Sequence, residues 1–213
     1  SHRAKAIILV NPHNPTGKVF SISELKNLAL FAQQKKMIII SDESYEKLVY
    51  EGKHTSVISL VPHSNVITVF STSQTFSMMG WRLGYAIGPR RIIEAMEKIQ
   101  GPITASASAV SQVATETALK SISRSKTFKE LELRRDYFFS TLVKIPWIQC
   151  DKPQGGAYFW CNISRLTKDS TLFANLLFKK GLAVMPGESF KAPGYIRISF
   201  NSAPIPILQK AAK

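Results

Sequence analysis

The stretch MIIISDESYE, residues 37–46, decides the fold because it changes from apolar to polar within a few positions. Its first part, 37–41, is a short apolar run rich in β-branched residues, which is typical of a strand buried on both faces of a sheet. Polar residues follow directly at 41–45, where that strand ends. Ligands bind at the carboxyl ends of strands in open parallel sheets. The stretch therefore predicts a parallel sheet with a ligand site at its edge.

Similar apolar runs lie on both sides of this stretch and extend the predicted sheet. They are AIILV at 6–10, VITVF at 66–70 and, with a glycine inside it, LGYAI at 83–87. An amphipathic helix that opens at Ser23-Glu24 connects the first two strands. Strands that alternate with helices predict an α/β fold, in which a mostly parallel sheet has helices on its faces.

The second half of the chain changes pattern twice. After the fourth strand it becomes helical, with breaks near Gly101-Pro102 and Ser123. Further along, strands are predicted at 157–163 and 195–200, with a helix at 170–180 between them. This last part therefore predicts a smaller α+β region.

The formal net charge of +14 comes from 28 lysines and arginines against 14 acidic residues. The positive residues occur as scattered pairs, such as Lys35-Lys36 and Arg90-Arg91, and not as one block. Scattered pairs are typical of a solvated basic surface, whereas nucleic-acid binding favours clustered charge. We therefore expect no nucleic-acid partner. The excess charge also fits a missing acidic partner segment.

The sequence also disfavours a membrane protein, a secreted protein and a metal-binding protein. No apolar run approaches the roughly 20 residues that cross a bilayer, and the first residues do not resemble a secretory signal. The two cysteines, Cys150 and Cys161, form no CxxC pair, so the sequence indicates neither a disulfide framework nor a zinc site. We expect a cytoplasmic protein with no metal and no membrane partner.

Three polar clusters follow the first three predicted strands. The first strand runs into a turn-rich segment that presents Asn14, the second into 41–45, and the third into Ser71-Thr72-Ser73-Gln74. Arg82 follows eight residues after Gln74. Each cluster alone is explained by a turn or a helix cap. All three at one sheet edge favour a binding site.

These residue types suit one cofactor. Two hydroxyls and an arginine form a phosphate cradle, because they combine hydrogen-bond donors with a planar cation. A buried aspartate pairs with a protonated ring nitrogen, and an amide with a phenol can bind a phenolic oxygen. A second arginine, Arg197 on the last strand, can receive a carboxylate. Phosphate, ring nitrogen and phenolic oxygen together describe pyridoxal 5'-phosphate, the electron sink for carbanion chemistry on amino acids.

Six motifs occur along the chain in one order. They are NPTGK at 14–18, SDESYE at 41–46, STSQTFSMMGWRLGY at 71–85, GGAYF at 155–159, MPGESF at 185–190 and RISF at 197–200. Through them the chain resembles class I and II aminotransferases, which are fold type I pyridoxal-phosphate enzymes, and is nearest to the aspartate, alanine and kynurenine aminotransferase branch. The resemblance implies the pyridoxal-phosphate-dependent transferase fold. It also implies a partial large cofactor-binding domain over 1–145 and a small C-terminal α+β domain over 146–213.

The resemblance assigns cofactor contacts to residues of the second and third clusters. Asp42 would pair with the pyridine nitrogen of pyridoxal phosphate. Ser71, Ser73 and Arg82 would hold its phosphate.

The remaining assigned residues bind the phenolic oxygen and the substrate. Asn14 and Tyr45 would contact the phenolic oxygen of the cofactor. Arg197, assisted by Asn14, would bind the α-carboxylate of an amino-acid substrate. The resemblance further implies amino acids and 2-oxo acids as substrates, and a homodimer as the assembly.

Gln74 occupies the position at which the family has its catalytic lysine. That lysine forms a Schiff base with the cofactor aldehyde and then moves a proton between substrate and cofactor. A carboxamide is planar and essentially non-basic, so it can do neither. We therefore expect normal transamination by this chain to be lost or extremely slow.

The two ends also depart from the family pattern. The family has a long segment ahead of the AsnProThrGly motif, which here lies close to the start. The chain is thus expected to correspond to the second half to two-thirds of an aminotransferase. After Phe200 the acidic closing helix of the family is replaced by a sequence in which Pro204 and Pro206 oppose a helix.

Several explanations of this combination stay open. The chain is a native pseudoenzyme, a chain whose lysine was deliberately replaced, or a split or truncated gene product. A non-catalytic module that keeps the fold for cofactor binding or assembly is the alternative from a different class. A basic nucleic-acid binder ranks third.

Overall fold

The computed structural model describes residues 4–61, 65–120 and 126–211. The chain divides into two compact units, one made of Ser1–His13 and Val19–Ser123 and the other of Asn14–Lys18 and Arg124–Lys213. In the described part of the chain, no helix is both long and apolar enough to cross a membrane.

The first unit contains a four-stranded sheet in the order β1-β2-β3-β4, with strands β1 (Ala6–Val10), β2 (Ile38–Asp42), β3 (Val66–Ser71) and β4 (Gly84–Ile87). The β1–β2 and β2–β3 pairs are parallel, which confirms the mostly parallel sheet. The β3–β4 pair is antiparallel. The link between β3 and β4 holds only short helical turns, and parallel neighbours need a longer crossover, so the chain returns in the opposite direction.

The helices of the first unit are α1 (Ile22–Gln34), α2 (Thr72–Thr75), α3 (Arg90–Thr104) and α4 (Ala109–Lys120). Helix α1 begins slightly before the predicted Ser23, because Ser21 caps it and forms a reciprocal capping box with Glu24. Its buried face carries Leu25, Ala29 and Ala32, which pack in one core with sheet residues.

The predicted break at Gly101-Pro102 is wrong, because α3 continues through both residues to Thr104. A proline removes one backbone donor, and close to the carboxyl end of a helix this loss affects few hydrogen bonds. The helix ends where Ala105 adopts a positive φ of 56°. The break predicted near Ser123 lies outside the described residues.

Within its described residues, the second unit combines an antiparallel sheet with three α-helices. Its strands are β5 (Gln149–Cys150), β6 (Tyr158–Asn162), β7 (Met185–Pro186) and β8 (Tyr195–Ser199), in the order β5-β6-β8-β7. Its helices are α5 (Lys126–Leu142), α6 (Ser170–Lys179) and α7 (Ile205–Ala211). The predicted strands and the helix at 170–180 are therefore present. The division into domains at residue 145 stays a prediction.

Helix α7 contradicts the expectation that the prolines near the end oppose a helix. Pro206 lies in the first turn of α7, and Pro204 precedes the helix. The first backbone N–H groups of a helix have no intrahelical partner, so a proline there costs no hydrogen bond.

Candidate functional site

The polar loops that follow β2 and β3 contact each other in the first unit. Asp42, the last residue of β2, lies opposite Val69 of the parallel strand β3. The Thr75 hydroxyl lies 3.5 Å from the backbone carbonyl oxygen of Ser44, to which it donates. Two of the three predicted clusters thus meet at one edge of the sheet.

Asp42 is half-buried and held by its own loop. Its Oδ1 accepts hydrogen bonds from the backbone N–H of Ser44 at 3.0 Å and from the Ser44 hydroxyl at 2.5 Å. A side chain that accepts from the residue two positions later forms a local turn, which limits its freedom. The carboxylate is therefore oriented before any ligand arrives.

The neighbouring carboxylate of Glu43 is fully buried, and sequence reasoning assigned it no role. Its Oε1 accepts from the hydroxyls of Ser41 and Ser56 at 2.9 and 2.8 Å and from the backbone N–H of Val57 at 3.3 Å. Its Oε2 lies 2.9 Å from Nε2 of His54. A buried carboxylate requires such partners. Glu43 therefore anchors the loop that carries Asp42, and its partners at 54–57 lie too far along the chain to be recognised from sequence.

The segment after β3 is anchored by its serine and threonine side chains. The Ser71 hydroxyl caps α2 by accepting from the backbone N–H of Ser73 at 3.2 Å. The fully buried Thr72 donates from its hydroxyl to the carbonyl oxygen of Leu83 at 2.8 Å, and its backbone N–H donates to the same oxygen. These bonds tie the serine loop to the residue that follows Arg82.

Arg82 is brought toward this loop by the β3–β4 pairing, in which Ser71 lies opposite Gly84. A side chain at Gly84 would place its Cβ 2.7 Å from the carbonyl oxygen of Phe70, so the close approach requires glycine. Arg82 has a positive φ of 52°, is exposed, and donates from Nη1 to the carbonyl oxygen of Met79 at 3.0 Å. Its phosphate contact stays a prediction.

Gln74 lies in α2 between these anchored residues. Its Oε1 is buried and has no hydrogen-bond partner among the described residues. Buried polar atoms without partners are rare, and each one requires an explanation. Tyr45, by contrast, is a buried residue of the neighbouring loop, and its contact with a phenolic oxygen stays a prediction.

The second unit brings Asn14 and Arg197 together, and their contact with a substrate carboxylate stays a prediction. Oδ1 of Asn14 accepts a hydrogen bond from Nη1 of Arg197 at 3.0 Å. Arg197 lies on β8, between Trp160 of β6 and Met185 of β7. Its guanidinium carbon is 4.2 Å from the centroid of the Tyr158 ring, a cation–π distance. The pair forms a half-buried cationic group on a central strand.

Asn14 is positioned by a close contact between two of the sequence motifs. The backbone N–H of Gly155 donates to the carbonyl oxygen of Gly17 at 2.9 Å. Gly17 has a φ of +71°, and a Cβ at this residue would lie 2.4 Å from Cβ of Pro153. The NPTGK segment therefore packs on the segment around Gly155. This contact explains why residues 14–18 belong to the second unit.

The family model described as "Aminotransferase class I and II" matches residues 1–208 of this chain. The chain belongs to this family. Its members depend on pyridoxal phosphate, and solved structures of the family share the fold described above.

Individual relatives agree with this assignment. The aspartate/prephenate aminotransferase of Thermus thermophilus is 35% identical over 206 residues, which cover 94% of this chain and 53% of that protein. The aspartate aminotransferase of Sulfolobus acidocaldarius is 36% identical over 211 residues, covering 93% and 52%. The structure of an aromatic aminotransferase from Pyrococcus horikoshii superposes with a TM-score of 0.93 at 35% identity, covering 100% of this chain and 59% of that one. The chain spans about half the length of the curated relatives it matches.

The first unit has the donors and acceptors that pyridoxal phosphate requires, except for an amine at residue 74. Asp42 offers an oriented carboxylate, and Ser71 and Arg82 offer a hydroxyl and a guanidinium. Oε1 of Gln74, at the position that the resemblance assigns to the family lysine, is buried and has no hydrogen-bond partner among the described residues. The residues therefore fit a cofactor that is held without a covalent bond.

Proposed function

We propose that this chain is an aminotransferase-family protein that binds pyridoxal phosphate non-covalently and, with Gln74 in place, does not complete amino-group transfer. The related activity is transfer of an amino group between an amino acid and a 2-oxo acid. The observation that carries the proposal is the buried Oε1 of Gln74, which lies within an otherwise anchored polar loop and has no hydrogen-bond partner in the part of the chain that the structure describes.

The cofactor would be held by four residues of the first unit, Asp42, Ser71, Ser73 and Arg82. The cofactor, when bound, supplies an electron sink that stabilises negative charge on the α-carbon of an amino acid. The Asp42 carboxylate would keep the ring nitrogen protonated, since an anion beside a cation favours the charged form. The serine hydroxyls and the arginine would neutralise the phosphate with charge-assisted hydrogen bonds.

Gln74 limits what this loop can do with a proton. General acid–base catalysis needs a side chain whose protonation changes near the working pH. The amide of Gln74 can donate and accept hydrogen bonds but does not ionise, so it cannot take a proton from the α-carbon of a substrate. The expected result is binding without turnover.

Arg197 and Asn14 form the proposed carboxylate-binding group of the second unit. A guanidinium binds a carboxylate through two parallel hydrogen bonds. The hydrogen bond from Arg197 to Asn14 and the Tyr158 ring beside the guanidinium restrict its orientation. Its Nε is buried and has no hydrogen-bond partner in the described part of the chain. Amino acids and 2-oxo acids are therefore the proposed ligand classes.

Replacing Gln74 tests the proposal directly. We expect Gln74→Lys, incubated with equimolar pyridoxal phosphate and reduced with borohydride, to carry a pyridoxyl group on residue 74. The matched variant Gln74→Met has similar length but no amine, so it should carry none. Peptide mapping by mass spectrometry separates residue 74 from surface lysines. The unsubstituted chain, which has Gln74, should bind the cofactor reversibly in equilibrium dialysis.

The outcomes separate the two candidate functions. A folded Gln74→Lys variant that gains no adduct at saturating cofactor would show that the loop does not form a cofactor site. The assembly module would then be the better interpretation. Turnover is a weaker test, because the chain spans about half the length of its relatives.

An assembly role is supported by exposed apolar residues of the first unit, and we propose a homodimer. Ile99 and Ile103 of α3 are 63% and 70% exposed, and Val110 and Val113 of α4 are 68% and 65% exposed. Large exposed apolar side chains favour association. Sedimentation equilibrium at micromolar concentration should give a dimer or larger species. A single monomer mass at every concentration would contradict the proposal.

A further inference from the structure

Two cysteines lie side by side on neighbouring strands of the second unit. Strand β5 pairs antiparallel with β6, and this register places Cys150 directly opposite Cys161. Both are free thiols; Cys161 is fully buried, whereas Cys150 is half-buried. Residues directly opposite each other in an antiparallel pair point to the same face of the sheet. The two thiols are therefore neighbours although the sequence separates them by a long loop.

The strand pairing places the two cysteines within reach of a disulfide. Directly opposite residues have Cα atoms about 4.5 to 5.5 Å apart in antiparallel sheets. A disulfide needs a Cα separation of about 4.4 to 6.8 Å. The Cβ atoms of such pairs lie slightly farther apart than a disulfide prefers, so closure requires only a small local shift.

The two thiols differ in reactivity because the thiol of Cys161 stabilises the thiolate of Cys150. A hydrogen bond from the thiol of Cys161 lowers the pKa of Cys150, against the opposing effects of burial and of Asp151. The same hydrogen bond, together with burial, raises the pKa of Cys161. Since the thiolate is the attacking species, Cys150 is the first nucleophile and Cys161 the second.

We propose that Cys150 and Cys161 form a redox modification site that reacts with small disulfides and closes into a cross-strand disulfide. The Cys150 thiolate attacks one sulfur of the small disulfide, a mixed disulfide forms, and one small thiolate leaves. Cys161 attacks the Cys150 sulfur, its proton passes to the second small thiolate, and the second small molecule leaves as a thiol. Two protein thiols are oxidised to one disulfide, and one small disulfide is reduced to two thiols.

This site is separate from the residues proposed to bind the cofactor. Neither cysteine belongs to the polar clusters of the first unit, and neither hydrogen-bonds Asn14 or Arg197 in the described contacts. The proposal therefore stands or falls independently of cofactor binding.

The test uses the whole chain, glutathione disulfide and, after the treated protein has been unfolded in urea, alkylation by N-ethylmaleimide. After incubation with glutathione disulfide, we expect the native protein to lose both alkylation sites and to retain no glutathione. A peptide map should contain one species that links residues 150 and 161. The reduced, unfolded protein provides the control in which both thiols are alkylated.

Single variants separate the two steps. Cys161→Ala should stop at the mixed disulfide and keep one glutathione on Cys150. Cys150→Ala should remain unmodified over the same time, because Cys161 is buried. The proposal is overturned if the native protein keeps two alkylatable thiols, retains glutathione on Cys150, or forms only intermolecular links. Since the linked peptide is measured on the native chain, a variant that fails to fold does not remove the test.

Discussion

Replacing Gly17 with alanine should disrupt the packing that positions Asn14. Gly17 has a φ of +71°, and the added Cβ would lie 2.4 Å from Cβ of Pro153 and 3.1 Å from the carbonyl oxygen of Gly155. The backbone N–H of Gly155 also donates to Gly17. The new methyl group therefore has to separate two backbone segments that are hydrogen-bonded to each other.

The expected loss of stability has two parts. An L-residue in the left-handed region costs roughly 1–2 kcal/mol relative to glycine. Forcing an extra methyl into a packed contact costs about 1–3 kcal/mol more. Gly17→Ala should therefore lower the free energy of unfolding of the second unit by about 2–5 kcal/mol. The hydrogen bond between Asn14 and Arg197 should weaken in parallel, because the same loop carries Asn14.

A matched control isolates the steric part. Gly181 follows α6 with a φ of +88°, and a Cβ there would meet no atom within 4 Å. Gly181→Ala therefore includes the backbone cost without the clash. Urea unfolding can be followed by the fluorescence of Trp147 and Trp160, which both lie in the second unit, with Trp81 replaced by phenylalanine in every variant.

The unfolding midpoints of the two variants test whether Gly17 is packed as described. Gly17→Ala should lower the unfolding midpoint clearly more than Gly181→Ala. Equal effects would show that the segment carrying Gly17 is not packed on Pro153 and Gly155. The described position of Asn14 beside Arg197 would then be wrong.

Variants at two further residues test polar contacts of one carboxylate each. Glu43→Ala should destabilise the first unit by about 3–5 kcal/mol, since it leaves buried donors unpaired. Glu43→Gln keeps an acceptor for these donors and should cost less stability in urea unfolding. Equal losses of stability would contradict the hydrogen-bond network around Glu43. Burial acts to raise the pKa of Asp136, but Arg135 at 2.7 Å and Lys152 at 3.0 Å outweigh it and hold that pKa below its ordinary value. Asp136 therefore stabilises the folded state at pH values above its unfolded pKa of about 3.9. The difference in free energy of unfolding between wild type and Asp136→Asn should shrink as the pH falls below that value. A stability difference that does not change with pH would exclude this ion pair as its cause.

Much of the candidate site could be predicted because its residues follow apolar strands directly. Asp42 and Ser71 were predicted directly after two strands and are the last residues of those strands, and the loops that follow are in contact. The family resemblance assigned Asn14 and Arg197 to one substrate carboxylate, and the structure joins the two side chains by a hydrogen bond that was not predicted. Glu43 was missed, since its hydrogen-bond partners at 54–57 are recognisable only after folding.

The sequence by itself determined the apolar runs, the order of the motifs and the amide at residue 74, because these are properties of consecutive residues. Only the tertiary structure decided that β4 runs antiparallel, that residues 14–18 pack with the second unit, and that Cys150 lies opposite Cys161. Each of these depends on pairing between distant segments. Such pairing is decided by the packing of whole strands and loops, and local hydrophobic patterns do not encode it.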